Sequence, residues 1–157
     1  MSSILDHLSK DTLPETLIKE FVRWCVWEQA RPAFSLVLNK GTVTDIADAV
    51  ESAENLAELV EIGEKANEYA KSMRGRTGPL GLSAIEATAF EFTNMIRAAG
   101  ENWDPEGVAF FASRVCGWAG WASTDFADPM QKAVAEKQAR AHQEAQLQKL
   151  WSKNASG

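Results

Sequence analysis

The chain has one tyrosine, two histidines, two cysteines and five prolines in 157 residues, and each scarcity removes something. Cys25 and Cys116 lie far apart inside apolar runs. They form neither a disulfide framework nor a metal-ligand spacing, and both read as buried thiols of a reducing compartment. His7 and His142 sit near opposite ends with no cysteine, serine or acid at a motif spacing. Each reads as a surface histidine and not as a general base. G-x-S-x-G, G-x-G-x-x-G and the P-loop are all missing. The stretch Gly78-Pro79-Leu80-Gly81 has neither the spacing nor the lysine that cradles phosphate, so it is a turn. No apolar run approaches the roughly 18 residues of a membrane span. Met1 to His7 lacks the basic start and apolar core of a signal peptide. The expectation is a cytoplasmic protein with no membrane contact and no cofactor.

What is present is helix. Sustained β-branched alternation is absent, and apolar residues recur at the helical period almost throughout. Thr12-Leu13-Pro14-Glu15 has the form of a capping box with proline in the first turn, opening a helix to about Ala30. Pro32 should disturb its end, with a further turn or two over Phe34, Leu36 and Leu38 before Asn39-Lys40-Gly41 stops it. Thr42 or Thr44 should cap a second helix running unbroken to Met73, ended by Gly75 to Gly81. A third spans Ser83 to Ala99, opened by a capping box with Glu86. Asp104-Pro105 opens a fourth and Asp128-Pro129 a fifth, from Met130 to about Trp151. The fourth is apolar nearly all round and belongs at the centre, where Gly117 and Gly120 would let a neighbour approach closely. The fifth has a thin alanine-rich face and five glutamines. With a short sixth at Ile4–Leu8, the reading is all-α: one domain over 1–157, an antiparallel bundle of five to six helices. Residues 1–12 and 152–157 should be loosely ordered.

Charge is distributed unevenly. Asp45, Asp48, Glu51, Glu54, Glu58, Glu61, Glu64 and Glu68 fall in one 24-residue window with a single lysine, Lys65. The window carries −7 while the whole chain carries −6, so everything else sums to +1. On a continuous helix, Glu51, Glu54, Glu58, Glu61, Glu64 and Glu68 occupy an arc of roughly 140°, opposite Leu59, Ile62, Ala66 and Met73. Like charges one turn apart repel by roughly a few tenths of a kcal/mol per pair. Such a ridge is either an ordinary solvated face, relieved by lysines of a neighbouring helix, or a docking face for a basic protein. Nucleic acid is not expected as a partner, since Lys71, Arg74 and Arg76 form one small basic spot, too little to neutralise many phosphates.

An enzymatic alternative rests on Glu58-x-x-Glu61 and Glu61-x-x-Glu64, carboxylates one turn apart as in metal-dependent all-α nucleotide pyrophosphohydrolases. The second motif of that pattern fails, because Glu91-Phe92-Thr93-Asn94 ends in Asn and Glu86 stands alone. The wheel also turns the glutamates away from a bundle interior. A third alternative is a homodimer formed through the last helix or a surplus tryptophan. Trp24, Trp27, Trp118 and Trp121 read as core, and any exposed one would mark an interface.

The run Phe21-Val22-Arg23-Trp24-Cys25-Val26-Trp27-Glu28, the alanine-rich helices near 84–99 and 108–122, and the closing Glu144-Ala145-Gln146-Leu147-Gln148-Lys149-Leu150 carry a resemblance. In these the chain resembles small all-helical immunity proteins of bacterial polymorphic-toxin systems. The resemblance implies no catalytic residue. It implies tight binding to a toxin, often a basic nuclease. The expected function is a non-enzymatic protein-binding module whose ridge docks such a partner.

Overall fold

The computed structural model describes residues 13–73, 81–101 and 104–156. The expected helix at Ile4–Leu8, the order of residues 1–12, Thr12 of the first capping box and most of the Gly75–Gly81 loop lie outside them. Every regular element among the described residues is helical: α1 (Glu15–Trp24), a π-helical segment (Cys25–Ala30), α2 (Arg31–Lys40), α3 (Thr44–Ser52), α4 (Leu56–Ser72), α5 (Leu82–Glu101), α6 (Pro105–Ala122) and α7 (Met130–Ser156). The chain is all-α.

Four local expectations are corrected. The first helix does not end near Ala30 but continues through Pro32 to Lys40. In α geometry a proline ring collides with the carbonyl four residues back and leaves that carbonyl without a donor. Here the helix widens for one turn to i→i+5 bonding, with the Arg31 N–H donating to the Val26 carbonyl. The next such bond would need an N–H on Pro32. Arg31 replaces it with its side chain, Nε donating to the Trp27 carbonyl at 3.2 Å.

Second, the helix expected over 44–73 is broken. Ala53 is extended (ψ 140°), and Asn55 is the N-cap of α4. Asn55 Oδ1 accepts from the Glu58 N–H at 2.9 Å, while the Glu58 carboxylate accepts from the Glu54 N–H at 2.7 Å. This is a reciprocal cap of the capping-box kind. Third, neither Thr42 nor Thr44 caps α3; its N-cap is Val43, without a side-chain bond, and Pro14 likewise precedes α1 without one. Fourth, α7 extends to Ser156, where an end near Trp151 was expected.

The two Asp-Pro openings form as expected. Asp104 Oδ1 accepts from the Gly107 N–H at 3.0 Å, and Asp128 Oδ1 from the Met130 N–H at 3.0 Å. α6 is the centre, packing against α1, the π segment, α2, α5 and α7. Val108, Ala109, Ala112 and Val115 are fully buried, although Phe110 is half exposed. The glycines of α6 do admit α7. A Cβ on Gly117 would stand 3.1 Å from the Lys132 carbonyl oxygen, and one on Gly120 would stand 2.5 Å from that of Gln131 and strike Ala135.

One of the five glutamines of the last helix is a core residue. Gln143 is fully buried, its amide donating at 2.8 Å both to Gln29 Oε1 and to the Ala109 carbonyl. Gln29 in turn donates to the Ala139 carbonyl at 2.9 Å, and Arg140 donates to Gln143 Oε1 at 3.2 Å. The amide pair thus ties the π segment to α6 and α7 with its donors satisfied.

Gly120 and Gly100 separate close packing from helix propensity. Gly120→Ala is expected to lower stability by about 1–3 kcal/mol by forcing α6 and α7 apart. Gly100→Ala, whose added Cβ meets nothing within 4 Å, should be neutral or stabilising by up to about 1 kcal/mol. Thermal melts of the two variants check the opposite signs.

Candidate functional site

All six ridge glutamates are exposed, and Leu59, Ile62, Ala66 and Ala70 are buried on the other side of α4. The break changes how the ridge is mounted. Glu51 lies in the last turn of α3, Glu54 in the break, and Glu58, Glu61, Glu64 and Glu68 on α4. They also divide by what they do inside the molecule. Glu51 accepts from the hydroxyl of buried Ser35 at 2.8 Å, Glu58 caps α4, and Glu61 pairs with Lys65 at 3.6 Å. Glu54, Glu64 and Glu68 have no side-chain hydrogen bond or ion pair among the described residues.

Relief from neighbouring helices is missing from that set. Other ion pairs join Lys19 to Glu15, Lys40 to Asp125, and Arg114 to Glu91 and Glu136, away from the ridge. Arg31 Nη1 donates to the Glu51 backbone carbonyl at 3.1 Å and not to its carboxylate. Glu91, a residue of the enzymatic alternative, is used by Arg114 at 3.1 Å. Among the described residues no group of three or more His, Cys, Asp or Glu side chains is placed to hold a metal ion, and no helix is long and apolar enough to cross a membrane.

Trp24, Trp27, Trp118 and Trp121 are half-buried and do not form one cluster, and Trp151 is exposed. Trp118 lies beneath the Lys132 ammonium, 3.8 Å from the ring centroid, and Trp121 meets the edge of Phe126 at 5.3 Å. Trp24 and Trp27 stand at the π segment. The Arg31 guanidinium lies 5.4 Å from the Trp27 ring centroid. Because Arg31 is also bonded to the Trp27 and Glu51 carbonyls, the indole is clamped from one direction.

That clamp borders a cleft of about 500 Å³ between the π segment, the α3–α4 break and the end of α5. Its apolar surface comes from Val22, Val26, Leu56 and Ala99, with Trp27 as a wall and Arg23, Glu54 and Asn55 as its polar groups. A second, shallower cleft of about 410 Å³ runs toward Gln146 and Leu150 and shares Arg23 and Trp27 with the first. Sequence reasoning singled out Glu54 but not Arg23 or Leu56 as site residues. The available signals were Pro32 inside a helical pattern and the Asn55-x-x-Glu58 cap; together they create the walls.

Both cysteines are free; Cys25 is fully buried and Cys116 half-buried, its Sγ 3.7 Å from the Gln29 carbonyl oxygen. Burial pushes both thiols up, Cys116 to about 12. Below pH about 9 both states are protonated and the thiols contribute no slope. Above it the unfolded chain loses protons that the folded chain keeps, so stability is expected to fall as pH rises toward 12. A chain carrying Cys25→Ala and Cys116→Ala should show a smaller fall in denaturant titrations across that window. The ridge predicts a second contrast. Glu58→Gln should cost about 0.5–1 kcal/mol through the weakened cap, while a Glu64→Gln, Glu68→Gln double variant should melt no lower than the parent.

No protein-family model matches the chain, and no curated protein or solved structure matches it either.

Proposed function

We propose that the protein is a non-enzymatic binding module, of immunity or regulatory type, whose ridge docks a basic protein. The observation that carries this reading is the uncompensated charge. Three exposed glutamates, Glu54, Glu64 and Glu68, have no partner among the described residues, and no cation from another helix pairs with a ridge carboxylate there. A face serving only stability would intersperse both signs. Clustered charge of one sign raises encounter rates with an oppositely charged partner by roughly 10- to 1,000-fold, and salt screens the effect over about 8–10 Å. The ridge would steer the partner, and the bulk of the bundle would cover the partner's own site. A toxin whose working surface must contact nucleic acid is a partner of the right charge.

Glu54, Glu64 and Glu68 are the residues to neutralise, because they make none of the internal bonds that hold Glu51, Glu58 and Glu61. With a partner isolated by crosslinking, association is measured by surface plasmon resonance for the wild type and the triple glutamine variant from about 50 to 300 mM salt. The variant should associate about tenfold more slowly at low salt, with a flatter salt dependence and a similar dissociation rate. Equal association rates for the two proteins would rule out steering by the ridge.

A further inference from the structure

We infer that the cleft between the π segment and the α3–α4 break binds a short apolar peptide with a free carboxylate end. The inference stands apart from the docking reading, because it rests on the cleft and on only one ridge residue. The floor is dry in character: Val22, Val26 and Ala99 are each at most 2% exposed, and Leu56 is half-buried above them. The Trp27 wall is backed by the Arg31 guanidinium, 5.4 Å from the ring centroid and itself fixed by bonds to the Trp27 and Glu51 carbonyls. An aromatic wall already ordered loses little entropy on binding.

The polar groups decide the ligand class. Arg23 and Glu54 line the same cleft with opposite charges, yet no ion pair joins them and neither side chain bonds any described residue. Asn55 spends its carbonyl oxygen on the Glu58 N–H and keeps its amide N–H groups to donate. A dianion such as a phosphate would meet Glu54 with Glu51 and Glu58 close behind it. A simple cation would meet Arg23, with Arg31 behind Trp27. A molecule negative at one end, positive at the other and apolar between satisfies both. The planar guanidinium of Arg23 suits a carboxylate bidentately, and Glu54 suits an ammonium. The volume of about 500 Å³ exceeds what one amino acid fills and accommodates a dipeptide with its side chains on the floor.

Isothermal calorimetry on the full chain tests this with the dipeptide Leu-Leu, its C-terminal amide and its N-acetyl form. Leu-Leu should bind saturably with Kd on the order of 0.1–1 mM. Amidation and Arg23→Gln should each weaken binding about tenfold, and amidation should cost nothing further in the Arg23→Gln chain, because one pair is removed either way. N-acetylation and Glu54→Gln should be related in the same manner. Arg23 and Glu54 are exposed, so both variants should fold, and Lys137→Gln should bind as the parent does. The Glu64→Gln, Glu68→Gln chain should also bind Leu-Leu unchanged, which separates this result from failure of the ridge reading. Absence of saturable binding, or amidation and Arg23→Gln effects that simply add, would overturn the assignment.

Discussion

Pro32 has no N–H to offer the carbonyl of Trp27, and much of the molecule is arranged around that missing donor. The helix answers by widening to a π turn over Cys25–Ala30 and by substituting the Arg31 side chain for the absent bond. Once Arg31 is committed there, its guanidinium also reaches the Glu51 carbonyl and lies over the Trp27 ring. One backbone defect therefore fixes an aromatic wall, ties the π segment to the end of α3 and borders the larger cleft. The same segment carries Gln29, which meets Gln143 of α7. A π turn in an otherwise α-helical stretch often marks a functional site, and here its side chains face both clefts.

The centre of the protein is held by closeness as much as by bulk. α6 offers Gly117 and Gly120 to the backbone of α7, so the two helices approach where larger residues would hold them apart. A buried glutamine in such a place would be costly if its amide lacked partners. Gln143 has them in Gln29, Ala109 and Arg140. The contact order along the pair (Gln131 beside Gly120, Lys132 beside Gly117, Gln143 beside Ala109) admits one register, and a slip would bury the amide unpaired. A polar group thus specifies the packing that apolar residues drive.

The ridge has a different logic. Glu51, Glu58 and Glu61 are bound into the molecule by a hydroxyl, a cap and a lysine, while Glu54, Glu64 and Glu68 are not. Repulsion among neighbours on α4 is small against even a marginal total stability, so the fold tolerates it. Long-range charge governs encounter, whereas affinity comes from desolvated contacts such as a clamped tryptophan beside an apolar floor. Ridge and cleft meet at Glu54, which places the two kinds of interaction side by side.

The sequence by itself determined the all-α class, the Asp-Pro openings at 104 and 128, the central place of α6 and the outward face of the six glutamates. Each of these is decided within a turn or by periodicity along one helix, where residue i acts on residues up to i+4. The break at Ala53 to Asn55 was also written locally, in Asn55-x-x-Glu58, but Val50, Ala53 and Leu56 keep the apolar spacing running across it and hid the cap. Pro32 misled for the opposite reason: its local rule ends a helix, and packing on α6 together with a substitute donor kept the helix going. Only the tertiary structure decided that Gln143 is core, because its partner Gln29 lies 114 residues away. It alone also assembled the cleft, which needs residues near 23–27, 54–56 and 99 brought to one place. Burial and pairing across such separations depend on which faces pack together, and neither spacing nor composition encodes that in a single stretch of chain.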